Sequence, residues 1–414
     1  MNPLLSLEQK ILVQGREWTR QQLETQAQKE ADEWGNLCPQ SGKLLQRRKR
    51  QALKIMTCSG VIELKTWRGY SVALKCWVNP VRHRWGLAPK QRVSPELQSR
   101  LGFTATATGS YQKAAQTATR WGSPVSDDLI HALVQRLGSQ AAQLPLPEPP
   151  RAAVEPEFSL VIMMDGWMVR QRGPDWGAGP RKKAADRVNW KEVKAAVIYR
   201  LEQRVQKDSG RGMLLEKFVV ATPPDTDPVD FGAAVQAEAR RRGLGRARKV
   251  YVVIDGAVWL WKITADRFRE AVALLDFHHA SEHLWAIAHV LHGEGTPQGR
   301  AWIEPLLHQL KHGKEERVVT TLEALLQPQA ALACDTQAAL RVPVEYFQTH
   351  REHLHYQKVA RQGGPIGSGS VESFNSQLQD RFKRTGQFWH QDGLRHLLAL
   401  DVLLRNNDYN FLWN

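Results

Sequence analysis

The segment from residue 157 to 276 constrains the fold most, because apolar runs of strand length alternate there with helical segments. Phe158-Ser-Leu-Val-Ile-Met-Met164, Val193–Tyr199 and Lys217–Ala221 read as strands, followed by a helix over 228–242. A fourth strand, Lys249–Ile254, precedes a helix over about 264–272 and a short strand, Val272–Leu275. Three strands, a helix, a strand, a helix and a strand predict a mixed α/β sheet. Residues 281–355 are mostly helical, a glycine-rich loop spans Gly363–Gly369, and a helical stretch covers about 370–405.

The chain before this segment is of another kind. Leu4, Leu7, Ile11 and Leu12 recur at helical spacing and predict a helix over residues 1–35. Gly60–Trp67 and Tyr70–Cys76, separated by Arg68-Gly69, predict a β-hairpin within residues 36–90. The run Gln46-Arg-Arg-Lys-Arg50 beside it is either a solvated loop or a DNA contact. Within residues 91–140, Ser110 and Ser126 can cap two helices around the break at Gly122-Ser-Pro-Val125. That pair is a candidate helix-turn-helix, although Asp127 and Asp128 would repel phosphate; a plain helical hairpin is the alternative. The Pro-rich stretch 141–156 reads as an extended linker and the main domain boundary. The catalytic core would then occupy 157–280 and 363–414, with a helical insertion at 281–362.

Composition narrows the function. Lys and Arg number 57 against 42 Asp and Glu, a net charge of +15 over 414 residues. Such a surplus points to a polyanionic partner, most simply nucleic acid; a merely basic enzyme is the bland alternative. No apolar run approaches the roughly 18 residues of a membrane span. The first residues lack a signal-peptide pattern, and only four cysteines occur, so a reducing cytoplasm, with nucleoid association, is expected. Most of the 15 Trp are expected in cores.

Two strands end in Asp-Gly, at Asp165 and Asp255. A lone Asp-Gly is usually a turn. Carboxylates at two strand ends can instead share a site, and hard oxygen ligands of this kind hold Mg²⁺. Phosphoryl transfer on two metals needs a third acid, and Glu372, after the glycine-rich loop, is the candidate. The other dense cluster is Leu275-Asp-Phe-His-His-Ala-Ser-Glu-His-Leu284. There His279, Glu282 and His283 match the inverted zincin pattern, so a zinc metallopeptidase is a rival from another class. Past Glu372, Arg381, Lys383 and Arg384 are candidate phosphate contacts, and Trp389 either stacks on a base or packs in the core.

The blocks Met164-Asp-Gly-Trp167, Val253–Trp261, Leu275–Leu284 and Gly364-Pro-Ile-Gly-Ser-Gly-Ser-Val-Glu372 resemble the ISKra-type insertion-sequence transposases, of the wider Mutator-like group of DDE transposases. The resemblance implies a ribonuclease-H-like fold with an all-α insertion before the helix of the third acid. It implies Asp165, Asp255 and Glu372 as catalytic and metal-binding acids, and Asp276 and His279 as a D-x-x-H pair shaping the site. It implies Mg²⁺, replaceable by Mn²⁺, with terminal-inverted-repeat and target double-stranded DNA as partners of a homo-oligomer. A nuclease or DNA-binding derivative that no longer joins ends is the nearest alternative. Members often carry two C-x-x-C pairs near the N-terminus. Here Cys38-Pro-Gln-Ser41 and Cys76-Trp-Val-Asn79 each keep one thiol, with Cys58 as a candidate substitute, so no structural zinc is expected.

Overall fold

The structure is a computed structural model that describes residues 2–88, 90–145, 157–177, 179, 187–208, 212–327 and 332–413. Residues 146–156, most of the expected linker, lie outside the described residues. The chain divides into two compact units, residues 1–137 with 411–414, and residues 138–410.

The first unit opens with helix α1 (Pro3–Trp34), started by the Asn2 side chain, which accepts from the Leu4 amide at 2.9 Å, and by Pro3 at the first helical position. Its later turns bury Ala27 and Ala31 against Leu53, Ile55, Ile62 and Leu64 of a hairpin, β1 (Gln46–Thr57) and β2 (Gly60–Ser71). Leu4, Leu7, Ile11 and Leu12, at helical spacing, stay exposed. The hairpin turn falls between Thr57 and Gly60 rather than at Arg68-Gly69. Gly69 lies inside β2, where a Cβ would sit 2.7 Å from Leu45 Cβ and 2.9 Å from Gln46 O. That glycine serves a close crossing of chains, not a turn.

Strand β3 (Cys76–Val78) adds to β2, and α2 (Pro80–Arg84) follows. Three positions of the degenerate ribbon, Cys38, Ser41 and Asn79, are engaged in hydrogen bonds. Cys38 Sγ is 3.0 Å from Ser71 Oγ, and bonds to Ser41 and Ser71 lower its thiol pKa to about 7. Asn79 donates to Thr66 Oγ1 at 2.8 Å and caps α2 through Arg82 N at 3.1 Å. Helices α3 (Pro95–Thr108), α4 (Tyr111–Arg120) and α5 (Asp127–Ala141) follow. Ser110 caps α4 and Ser126 caps α5, as their positions suggested.

The second unit contains β4 (Ser159–Arg172), β5 (Val188–Arg200), a small hairpin of β6 (Arg204–Gln206) and β7 (Gly212–Leu214), and β8 (Phe218–Thr222). Helix α6 (Pro228–Arg241), β9 (Lys249–Ile254), α7 (Val258–Arg267) and β10 (Val272–Leu275) complete the core. The five-stranded order is β10-β9-β4-β5-β8; β4, β5 and β8 are antiparallel, while β9 and β10 run parallel to β4. This is the ribonuclease-H-like mixed sheet that the resemblance implies. The helix after β9 begins at Val258, six residues earlier than expected.

Alternation along the strands separates two faces. Leu160, Ile162, Met164, Val252 and Ile254 pack with Phe231 and Val235 of α6 and Leu260 and Ile263 of α7. The opposite face receives a late helix, α13 (Gly369–Phe382). Between β10 and α13 the described residues form an all-helical insertion: α8 (Phe277–His292), α9 (Pro297–Lys311), α10 (Glu315–Ala324), α11 (Cys334–Thr349) and α12 (Tyr356–Arg361). Then come α13 (Gly369–Phe382) and α14 (Gln391–Arg405). Trp167 is buried and Trp34, Trp85, Trp259 and Trp261 pack half-buried against the cores, but Trp18, Trp77, Trp121, Trp176 and Trp190 are exposed, so the cores absorb the tryptophans only in part.

Candidate metal centre

Strand register places the acids. Met164 pairs with Ile254 across the parallel β4–β9 ladder, and both strands carry an Asp at the next position. Adjacent strands lie roughly 4.8 Å apart, so Asp165 and Asp255 leave the ladder as neighbours. Asp165 is not at a strand end: β4 continues to Arg172, paired there with β5 but no longer with β9. Asp255 ends its strand and turns back, its Oδ1 accepting from Ala257 N at 2.8 Å. Asp276 follows β10 and caps α8, its Oδ1 accepting from His278 N at 2.7 Å. Three carboxylates thus stand at the C-terminal ends of the parallel pairings, where open α/β sheets bind ligands.

Helix α13 brings the remaining groups. The loop before it is pinned by Phe277 N–H donating to Ile366 O at 3.0 Å. Ser368 N–H donates to Asp276 Oδ2 at 3.3 Å, and its hydroxyl lies in hydrogen-bond contact with the carboxylates of both Asp276 and Glu372. One ligand atom each of Asp276, His279 and Glu372 lies within 4.8 Å of the others. One turn on, Asn375 Nδ2 donates to Asp165 Oδ2 at 2.6 Å, while its buried Oδ1 has no hydrogen-bond partner. The helix therefore holds Glu372 and Asp165 through residues at i and i+3 on one face.

Burial pushes Asp165 up to about 6, helped by the Asp255 charge and opposed by bonds from Gly166 N–H and Asn375. No Lys or Arg forms an ion pair with Asp165, Asp255, Asp276 or Glu372 among the described residues. Oxygen donors without a protein counter-charge, plus one imidazole, fit a divalent cation of the Mg²⁺ or Mn²⁺ type.

The structure places the other sequence candidates as follows. His279 Nδ1 is 3.4 Å from Glu282 Oε2, but the three-ligand group joins His279 to Asp276 and Glu372. His283 is stacked on Tyr346, with ring centroids 3.7 Å apart. Arg381 is buried, Lys383 Nζ sits 5.3 Å from the Trp190 ring, and Arg384 is exposed with Nε donating to Asp380 O at 2.6 Å. Trp389 exchanges backbone bonds with Arg170 and Arg172 on the free edge of β4, donates Nε1 to Phe382 O at 2.7 Å, and packs on Phe382.

Three site residues carried no assigned role in the sequence: Ser368, Asn375 and Tyr346. Asn375 was findable as the residue one turn from Glu372 on its helix face. Tyr346 explains the glycine of the second Asp-Gly, because a Cβ on Gly256 would lie 2.1 Å from its ring. Burial, then the Asp255 charge, raise its pKa.

No protein-family model matches the chain. No curated protein matches it either. Among solved structures it is similar to the "Drosophila P element transposase strand transfer complex", with 11% identity and a TM-score of 0.37 over 79% of this chain and 95% of that chain.

Proposed function

We propose that this protein is a metal-dependent DNA phosphoryl transferase of the DDE transposase kind, cutting at element ends and joining them to target DNA. The finer assignment is to the ISKra-type group that the sequence blocks resemble. One observation carries it: the mixed sheet sets Asp165, Asp255 and Asp276 where successive parallel pairings end, with Glu372 and His279 in ligand reach of Asp276. Asp165, Asp255 and Glu372 would hold Mg²⁺, with Asp276 and His279 shaping or sharing the site. When bound, such ions polarise the phosphodiester and stabilise the attacking and leaving oxygens.

The protein's own groups do the rest. Asn375 orients Asp165, and Ser368 holds Glu372 and Asp276 in one arrangement. Asp165, near 6, sheds its proton around neutral pH and is then available as a ligand. The net charge of +15 supplies sequence-independent attraction to phosphates.

The test is Mg²⁺-dependent strand cleavage on a duplex carrying the terminal repeats, run beside a binding titration. Glu372→Gln keeps the size of the side chain and removes its charge. Cleavage should fall by about a hundredfold or more, with DNA affinity nearly unchanged. Wild-type cutting by the variant would remove Glu372 from the site.

A further inference from the structure

Beside the candidate metal centre, on the flank of α13, a separate cavity of about 980 Å³ opens between the β6–β7 hairpin and the loop 363–369. Arg204, Lys207, Lys217 and His278 line it, and among the described residues no Asp or Glu does. None of the three Lys and Arg side chains forms an ion pair among the described residues. Three Lys and Arg side chains lining one cavity without a carboxylate make it electropositive, which favours an anion. Lys217 is half-buried, and burial, then the charge of Arg405, lower its pKa.

The backbone supplies a second set of donors. Helix α13 starts in this cavity at Gly369 and Ser370, with no side-chain cap on its first N–H groups. The residue that would cap it, Ser368, has its hydroxyl turned to Asp276 and Glu372 instead. A Cβ on Gly369 would meet nothing within 4 Å, so the first turn faces open space. Uncapped N–H groups at a helix start favour phosphate oxygens. Ser370 and Ser373 line the same wall.

We propose that this cavity binds the phosphate groups of a nucleotide, with Arg204, Lys207 and Lys217 as the charged partners and the start of α13 as the backbone partner. The volume exceeds that of a phosphate ion and suits a nucleotide unit. Ser370 and Ser373 flank Glu372 on one helix, so a strand seated here passes within a turn of the candidate centre. The ligand is therefore either a DNA strand or a free nucleotide. The strand arm deepens the proposed transposase function; the binding measurement does not depend on cleavage.

The experiment measures anisotropy of a fluorescein-labelled single-stranded oligonucleotide with the full chain across a KCl series. Nucleoside triphosphate and inorganic phosphate serve as competitors. Lys207→Gln with Lys217→Gln should weaken oligonucleotide binding about tenfold and lower the salt slope by about 1.4, the loss of two phosphate contacts. Lys207→Arg with Lys217→Arg keeps the charge and should bind as wild type, which separates lost contacts from misfolding. If triphosphate competes at far lower concentration than inorganic phosphate, and the Gln pair abolishes that competition, the ligand is a free nucleotide. Unchanged affinity for both probes in the Gln pair would overturn the proposal. Lost binding in a chain whose wild type never cuts DNA would keep the cavity and sink the transposase assignment. Glu372→Gln should leave this binding intact.

Discussion

Asp165 is the most informative residue. Its carboxyl is raised from an ordinary 3.8 to about 6, first by burial. A folded-state pKa above the unfolded one means the protonated form is favoured by folding. In metal-free protein this contribution is fully present below about pH 4 and is lost as pH rises through about 6. Thermal unfolding across pH 4 to 8 should show that loss, and Asp165→Asn should flatten it, leaving the variant on the order of 2 kcal/mol more stable at pH 7 without metal. Metal affinity runs the other way, because the cation competes with the proton. Mn²⁺ titration of the wild type should tighten between pH 5 and 7, and the Asn variant should bind weakly throughout. A pH-independent Mn²⁺ affinity in the wild type would remove Asp165 from the ligands.

At the scale of elements, the two Asp-Gly pairs differ. Gly166 lies within β4 and pairs with Lys194, whereas Gly256 leaves the sheet and forms the seat of Tyr346 from α11. Tyr346 is held between the His283 and His350 rings and has little room to withdraw. Gly256→Ala should therefore destabilise by about 1–3 kcal/mol through overpacking. Adding Tyr346→Ala should recover part of that loss, a non-additivity that chemical unfolding of the single and double variants reads directly. Equal and additive losses would separate the helical insertion from the Asp255 turn. In the N-terminal hairpin, Asn79 both bonds Thr66 and caps α2. Asn79→Ala should cost about 1–2 kcal/mol in unfolding free energy.

At the scale of the whole molecule, metal content is the simplest check. Asn79 is committed to hydrogen bonds and Ser41 is a poor zinc ligand, so purified protein should carry no stoichiometric zinc by elemental analysis. One zinc per chain, lost on mutating Cys38 and Cys76, would show that the ribbon is metallated by other ligands. The apolar positions at the start of α1 tell a related story about scale. Leu4, Leu7, Ile11 and Leu12 have the spacing of a core-facing helix, yet nothing in the described residues covers them.

Although β1 and the small β6–β7 hairpin went unread, the sequence by itself determined the order of the five core strands and their helices, the helix caps at Ser110 and Ser126, and which acids are candidates. These are local properties: hydrophobic period, cap chemistry and the coincidence of Asp with the end of an apolar run. It also placed Glu372 at the start of a helix. What only the tertiary structure decided was which acids meet. Asp165 and Asp255 become neighbours because β4 and β9 pair in parallel with Met164 opposite Ile254, a register no local pattern specifies. Glu372 meets Asp276 and His279 because Ser368 and Ile366 pin the loop to the start of α8, across 92 residues of chain. The hairpin turn, the role of Gly69 and the cation-lined cavity were hidden for the same reason: each depends on long-range contacts between backbone segments, and spacing along the chain carries no record of them.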